Sequence, residues 1–301
     1  MNRVITTLLL VLLIQLGVSA VVFWPQTNGS NTLTPYSLAG TVDATAIDTI
    51  RIGDDSDNEA LLQRDSRGWV LPDLENLPAD PQMVKRLLDS LTQPRRDWVV
   101  ADTVTARQRF KVADYRYQRI IDLSHAEQDP ARIYLGTSPA FRKVHARRQS
   151  ENAIYSIDFN LFEAPAVAAA WVDPSLLQVR APLRISGDGF SISKTAGQWL
   201  SGLQLKPHEH ELMALLEILR ELQINSVASE DEQRELAGLE PQQRLQIESL
   251  SGNMTLELFA VGNNRFILSS EYPLYFRLSA YQYEGLADID FMKISGAAGS
   301  E

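Results

Sequence analysis

Two histidines flank a glutamate in the segment His208-Glu209-His210, the pattern in this chain that most resembles a metal-binding motif. Residues two apart on a helix point about 200° apart around its axis, so the two imidazoles do not converge on one ion there. They could converge only in an extended or capping turn. Glu209 and Glu211 fit the first turn of a helix, where carboxylates oppose the positive end of the helix dipole. We therefore predict a polar helix start and no metal ligands.

The densest group of positive charges lies between Phe141 and Arg148 and is called the basic run below. If this segment is a strand, alternate side chains face opposite sides of a sheet, and the charges are divided between both faces. One interpretation is a solvent-exposed edge strand on which charge prevents aggregation. The other is a contact for anionic lipid headgroups, a phosphate-bearing polymer or an acidic partner. The candidate contacts are Arg142, Lys143, His145, Arg147 and Arg148.

Other residue patterns that support catalysis are missing from the sequence. No Gly-x-Ser-x-Gly motif is present to place a nucleophilic serine. The carboxylate pairs Asp54/Asp55 and Glu230/Asp231 fall in expected turns and helix starts, where solvation or capping explains them. The chain contains no cysteine, which excludes disulfides, thiolate catalysis, iron–sulfur clusters and zinc–cysteine sites. We predict that the protein is not an enzyme and that it uses no cofactor and no metal.

The charge balance argues against one class of partner. The formal net charge is −10 over 301 residues, whereas a nucleic-acid-binding protein normally presents a basic surface. Hydrophobic residues make up 45% of the chain, which is enough for a folded core. We therefore expect no nucleic acid as a partner. The chain is also long enough for two domains.

The N-terminal segment Val4–Trp24 is almost entirely apolar. About 20 such residues in a helix cross a hydrocarbon core roughly 30 Å thick. Arg3 precedes the segment, so the positive-inside rule places the N-terminus in the cytoplasm and the rest of the chain outside. We predict a single-pass protein of the bacterial inner membrane whose bulk is periplasmic. The alternative is a cleaved signal peptide with Val18-Ser19-Ala20 at the cleavage site.

A helix with a clear start signal occurs once in each half of the remaining chain. Asp80 can cap the first helix, and Pro81 suits its first position. The apolar residues that share one face of this helix are Val84, Leu87, Leu88 and Leu91. A similar set occurs 128 residues later, at Leu212, Leu215, Leu216 and Leu219. A tryptophan in a short apolar run precedes each helix, at Trp69 and Trp199, and this repetition predicts an internal duplication.

The repeated pattern predicts two similar units behind the membrane anchor. Each unit would pack an amphipathic helix on one face of an antiparallel sheet, so the expected fold class is α+β. Trp98-Val99-Val100 and the basic run are both predicted as strands of the first unit. The predicted domains are a transmembrane anchor (1–25), a linker (26–39), a first α+β unit (40–177), a second α+β unit (178–293) and a disordered tail (294–301).

Several of these segments resemble the domain of unknown function 4340 family. The resemblance is carried by the Gly68-Trp69 strand, the Leu77-Pro78-Ala79-Asp80 helix entry with its apolar stripe, the Ile154–Ile157 strand and the ending Trp171–Leu177. It is best over about residues 47–177, and the N-terminal anchor also fits. The resemblance implies one anchor, a duplicated extracytoplasmic α+β body and no assigned activity.

Members of the family that the chain resembles are typically encoded beside ABC transporters of the gliding-motility type. The resemblance therefore implies a non-enzymatic accessory subunit of such a transporter. Its expected partners are the transporter permease and related envelope subunits, together with the inner membrane. One alternative is a periplasmic lipid- or glycan-binding module with its site between the two units. A hydrolase acting on envelope polymers is a further alternative, and it requires clustered acids or a nucleophile–base pair in a cleft.

Overall fold

A computed structural model describes residues 35–40, 42–125, 129–289 and 291–295, together with Leu12 and Gln15. The chain divides into two compact parts, Met1–Pro35 and Tyr36–Glu301. The first unit and the second unit below are the two halves of the larger part. The predicted anchor lies outside the described residues except for Leu12 and Gln15, which are helical. Within the described part of the chain, none of the helices combines the length and apolar character needed to span a bilayer.

The first unit, in the first half of Tyr36–Glu301, contains a sheet of nine strands among the described residues. Its order is β4-β3-β2-β1-β8-β9-β10-β11-β5, and β6 and β7 form a separate hairpin. The strands are β1 Thr49–Asp54, β2 Glu59–Asp65, β3 Gly68–Leu71, β4 Leu77–Pro78, β5 Val99–Ala101, β6 Val112–Ala113, β7 Arg116–Tyr117, β8 Arg119–Ser124, β9 Ala131–Leu135, β10 Lys143–Arg148 and β11 Ile154–Asp158. The helices are α1 Pro81–Thr92 and α2 Val104–Arg109.

The second half contains a sheet of eight strands among the described residues, in the order β14-β13-β12-β16-β17-β18-β19-β15. The strands are β12 Pro182–Gly187, β13 Phe190–Thr195, β14 Gln198–Ser201, β15 Ser226–Val227, β16 Gln243–Ser249, β17 Gly252–Val261, β18 Asn264–Ser269 and β19 Tyr272–Leu278. The helices are α3 Glu209–Arg220, α4 Glu230–Leu236, α5 Ala280–Ala287 and α6 Phe291–Ile294. The neighbouring strands of both sheets are antiparallel, so the prediction of a mixed α+β fold with antiparallel sheets is confirmed.

The two sheets share one strand order. When β4 is left out, the strand order β3-β2-β1-β8-β9-β10-β11-β5 of the first sheet corresponds strand for strand to the order β14-β13-β12-β16-β17-β18-β19-β15 of the second. The helices α1 and α3 leave the same edge of their sheets, and α2 and α4 follow the strand at the opposite edge. The first sheet has one additional edge strand, β4, at the end where the second sheet stops at β14.

Local sequence explains both long helices. The Asp80 carboxylate accepts hydrogen bonds from the backbone N–H groups of Gln82 (2.8 Å) and Met83 (3.1 Å), as a capping residue should. The predicted stripe of α1 is fully confirmed, because Val84, Leu87, Leu88 and Leu91 are its buried residues. In α3 the buried residues are Leu212, Leu215, Ile218 and Leu219, so Ile218 takes the place predicted for Leu216.

A single buried cluster runs through both sheets and both long helices. Burying one Leu or Ile side chain in such a core contributes about 1.5–3 kcal/mol. The 3₁₀ turn Ala168–Trp171 joins the halves, because it contacts both β2 and β15 and buries Trp171 completely. The indole Nε1 of Trp171 donates to the Pro165 carbonyl at 2.9 Å, which satisfies its polar atom.

The folded body is longer at both ends than the predicted domains. Leu38 and Ala39, assigned to the linker, are buried in the core, and Tyr36 stacks on Tyr155 with ring centroids 4.0 Å apart. Ile294, assigned to the tail, is also buried. These residues are apolar and lie beside elements of the sheets, so their burial extends the core; residues 296–301 lie outside the described part of the chain.

Candidate partner-binding surface

The basic run lies inside the first sheet and not at its edge. β10 pairs with β9 on one side and with β11 on the other. The interpretation of this segment as a solvent-exposed edge strand is therefore wrong. The physical reason is that the position of a strand in a sheet depends on pairing with other segments, here β9 and β11, which the alternation of residues along one strand cannot show. In addition, a distant segment neutralises the most buried charge of the run.

Arg147 shows this most clearly, because its side chain is almost fully buried. Its Nε donates to the Val112 carbonyl at 2.7 Å, and its Nη1 donates to the Glu151 carbonyl at 3.2 Å. Its Nη2 forms an ion pair with Asp114, and the guanidinium lies 4.7 Å from the centroid of the Tyr134 ring. These contacts attach the β6–β7 hairpin and the end of β10 to the sheet, so Arg147 has a structural role.

His145 is likewise a buried member of the run. Its Nδ1 lies 2.9 Å from the Thr137 hydroxyl, and its ring stacks on Phe110 with centroids 4.1 Å apart. Burial lowers the pKa of His145 below its ordinary value, because the charged imidazolium loses hydration, while a hydrogen bond with the Thr137 backbone acts in the opposite direction. The ring is therefore neutral at neutral pH and is packed as an aromatic group.

The remaining cations of the run differ in accessibility. Arg148 is paired with Glu151, and its Nε is buried without an acceptor among the described residues. Lys143 is partly exposed, with its ammonium 3.0 Å from the carboxylate of Asp158. Arg142 is exposed, at the start of the strand. The contact with an anion or an acidic partner stays a prediction. Arg142 and Lys143 are the residues of the basic run that are exposed enough to make it.

The histidine pair adopts the predicted helix start. His208 is the residue before α3 and its side chain makes no capping hydrogen bond, while Glu209 and Glu211 occupy the first turn. Both histidines are exposed. Across the described residues, no group of three or more potential metal ligands comes together.

The sheet edge formed by β5 presents the most unusual surface. β5 pairs with β11 and has no strand on its other side among the described residues. Trp98 is 64% exposed, and Val99 and Val100 are 44% and 43% exposed. We call residues Trp98–Ala101 the β5 edge.

The start of the β5 edge is fixed by a polar network. Arg95 and Asp97 form an ion pair at 2.6 Å, and the Tyr36 hydroxyl donates to Asp97 at 3.1 Å. A bridge between Tyr36 and Arg95 adds backbone hydrogen bonds of 2.9 and 2.7 Å in the two directions. The exposed apolar residues that follow are thus held on a rigid element and are not part of a loose loop.

The equivalent strand of the second sheet is less exposed. β15 pairs with β19 and also contacts the 3₁₀ turn Ala168–Trp171. Its residue Val227 is half-buried against the core, and the following Ala228 is buried beside α4. The residue before Val227 is the polar Ser226, whereas Trp98 stands before Val99 in the first sheet. The sequence contained a signal for this difference, since only the first sheet has a tryptophan there.

A comparison with protein families matches residues 69–242, more than half of the chain. The chain belongs to the family described as a domain of unknown function (DUF4340). The match begins at Trp69 in β3 and ends just before β16, so it includes α1, α3 and both β5 and β15. The match therefore extends further into the second half than the resemblance, which was best over about residues 47–177. No curated protein and no solved structure matches the chain.

Proposed function

We propose that this protein is a non-enzymatic, membrane-anchored periplasmic subunit that assists an ABC transporter of the gliding-motility type. The apolar segment Val4–Trp24 would serve as the anchor, and the body from Tyr36 onward would contact the permease or a related envelope subunit. The transporter role is what the resemblance stated above implies, and the description of the DUF4340 family itself assigns no function. The observation that carries the proposal is the exposed apolar β5 edge.

An open strand edge is suited to protein–protein contact. Its outward backbone N–H and C=O groups can pair with an extended segment of a partner, which then adds a strand to the sheet. Proteins normally protect such edges with charge, proline or a covering element. β5 carries Val99 and Val100 instead and is preceded by Trp98, whereas Pro78 stands in the opposite edge strand β4. The proposed partner segment is therefore extended and apolar on the side that meets these residues.

We also propose that the two halves arose by duplication of one sheet-plus-helix unit. The identical strand order and the recurrence of the helix stripe after 128 residues support it. In the second copy, β15 contacts the 3₁₀ turn Ala168–Trp171 of the same chain. The first copy leaves the equivalent edge open, as expected if this copy binds the partner.

The test is an affinity purification of the tagged full-length protein from detergent-solubilised membranes of its native host. The wild type should recover a transporter permease or ATPase subunit, and Trp98→Asp should lose at least ten-fold of that recovery. Tyr281→Asp is the matched control, because Tyr281 is also an exposed aromatic residue but lies on α5. Absence of transporter subunits from the wild-type sample, or equal recovery by both variants, would contradict the proposal.

A further inference from the structure

A groove on the second unit has the composition of a ligand site. It has a volume of about 530 Å³ and lies between α3, the start of β12 and β14. We call it the α3 groove. Its larger apolar lining residues are Leu183, Trp199, Met213, Leu216 and Leu250. Met213 and Leu250 are 58% and 78% exposed, so the groove presents apolar surface to solvent.

The first unit has a longer segment between its helix end and its sheet than the second unit. In the first unit the Ala39 N–H donates to the Leu91 carbonyl at the end of α1, and in the second the Val179 N–H donates to Leu219 at the end of α3, both at 2.9 Å. Nine residues, 40–48, then precede β1, and they include the fully buried Ile47. Only Arg180 and Ala181 precede β12.

The strand beside β12 also ends at this place. Ser249 is the last residue of β16, and the exposed Leu250 that follows it lines the groove. The second unit thus has exposed apolar side chains where it lacks a counterpart of residues 40–48.

Cations surround the apolar lining. Arg180, Lys194 and Arg220 line the groove, and Glu217 is the one carboxylate among its lining residues. This is a local positive excess in a chain with a formal net charge of −10. Arg220 lies 3.2 Å from Glu221 in a solvent-exposed pair, which is a weak interaction. Lys194 makes no ion pair with any residue that the structure describes.

We propose that the α3 groove binds a single-chain anionic amphiphile of the fatty-acid class. The alkyl chain would lie against Met213, Leu216 and Trp199, and the carboxylate would meet Lys194 and Arg220. Sites for small ligands typically enclose about 300–1,000 Å³ and combine apolar walls with a few polar groups, which this groove does. The proposal goes beyond the partner contact, since the β5 edge belongs to the other unit and would function without a lipid.

The experiment uses the full-length protein in amphipol, which avoids free detergent, and a palmitate analogue that carries a photoreactive diazirine in its chain. After illumination, the labelled peptides are identified by mass spectrometry. Labelling should fall in the peptides that contain Leu183, Met213 or Leu250. Excess oleate should suppress it at least ten-fold more effectively than the uncharged monoolein, because only oleate offers a carboxylate to the cations.

Two pairs of variants sharpen the result. Met213→Glu should reduce labelling at least ten-fold, whereas Leu239→Glu, at an exposed leucine outside the groove, should not. The double variant Lys194→Gln/Arg220→Gln should remove the preference for oleate over monoolein. The control Lys85→Gln/Arg86→Gln removes an equal amount of positive charge from the exposed face of α1 and should leave the preference for oleate intact. Labelling outside the groove, equal competition by monoolein, or unchanged labelling of Met213→Glu would overturn the proposal, and a protein segment would then be the more suitable occupant.

Discussion

β5 and β15 occupy equivalent positions at the ends of two sheets with the same strand order, but their surroundings differ. β15 contacts the 3₁₀ turn that joins the two halves, while β5 faces solvent with Trp98, Val99 and Val100. The fold therefore does not require an apolar surface at this position. The comparison separates residues that the shared architecture needs from residues that one copy has in addition, and the additional ones are the candidates for binding.

The architecture that both copies need should show the largest effects on stability. Leu87→Ala in α1 and Leu215→Ala in α3 both remove side chains from the continuous core. We expect each to lower the free energy of unfolding by about 2–5 kcal/mol. Urea denaturation followed by circular dichroism measures this. Because the core is shared, both variants should shift one common transition, and two separate transitions would show that the halves unfold independently.

The buried arginine tests a feature that belongs to the first copy alone. Arg147 in the first sheet and Leu268 in the second occupy equivalent positions. In the first sheet the preceding core residue, Ala146, pairs with Leu135. In the second sheet the preceding core residue, Ile267, pairs with Leu258. Arg147→Leu removes the donors to the β6–β7 hairpin and should destabilise the protein by roughly 3 kcal/mol. Arg142→Leu, at the exposed start of the same strand, is the control and should change stability by less than about 0.5 kcal/mol. Similar values for both variants in urea denaturation would show that Arg147 is not a structural residue.

The two edge strands can be compared directly by the same substitution. Val227→Asp introduces a carboxylate against the core and should cost about 2 kcal/mol, because the charge is partly desolvated. Val100→Asp lies on the exposed β5 edge and should change stability by less than about 0.5 kcal/mol. Thermal or urea unfolding of the two variants gives the values. A large loss for Val100→Asp would mean that the β5 edge is needed for folding, which would weaken its assignment to a partner.

His145 gives the smallest expected effect, which depends on pH. Its pKa is lowered in the folded protein, so below its ordinary value of 6.5 the unfolded state binds more protons. This residue therefore favours unfolding as the pH falls from about 6.5, and its contribution levels off below the folded pKa. His145→Phe introduces the residue that the second sheet has at this position, Phe266, and should make stability less sensitive to acid. His210→Phe, at an exposed histidine, is the control for unfolding curves measured between pH 7 and 5, and an unchanged slope for His145→Phe would contradict the account.

Features that depend on local chemistry could be predicted from the sequence. The Asp80 cap, the first residue of α1 and its buried face all follow from residues within two turns. The recurrence of the pattern in α3 was visible because both helices have a similar apolar spacing, although Ile218 and not Leu216 is buried in the core. The ending Trp171–Leu177 was recognised as part of the family resemblance. The contacts of the turn at Trp171 with both sheets were not predicted, because they join segments that are distant in the sequence.

Features that depend on distant segments could not be predicted in this way. The basic run looked exposed because its charges were counted without Asp114 and the Val112 carbonyl, which the fold brings to Arg147 from 33 and 35 residues away. A strand was predicted at Trp98-Val99-Val100 and is found one residue later, at Val99–Ala101, but an apolar strand at an open edge has the same local sequence as one in a core. Only the strand order shows which of the two it is.

The most direct test of the central claim is site-specific photo-cross-linking at the two edges in intact membranes of the native host. A photoreactive amino acid replaces Trp98 in one sample and Ser226, in the equivalent strand of the second sheet, in the other. The account predicts that position 98 cross-links to a transporter or related envelope subunit while position 226 yields no intermolecular product. Equal intermolecular cross-linking at both positions, or none at position 98, would contradict it.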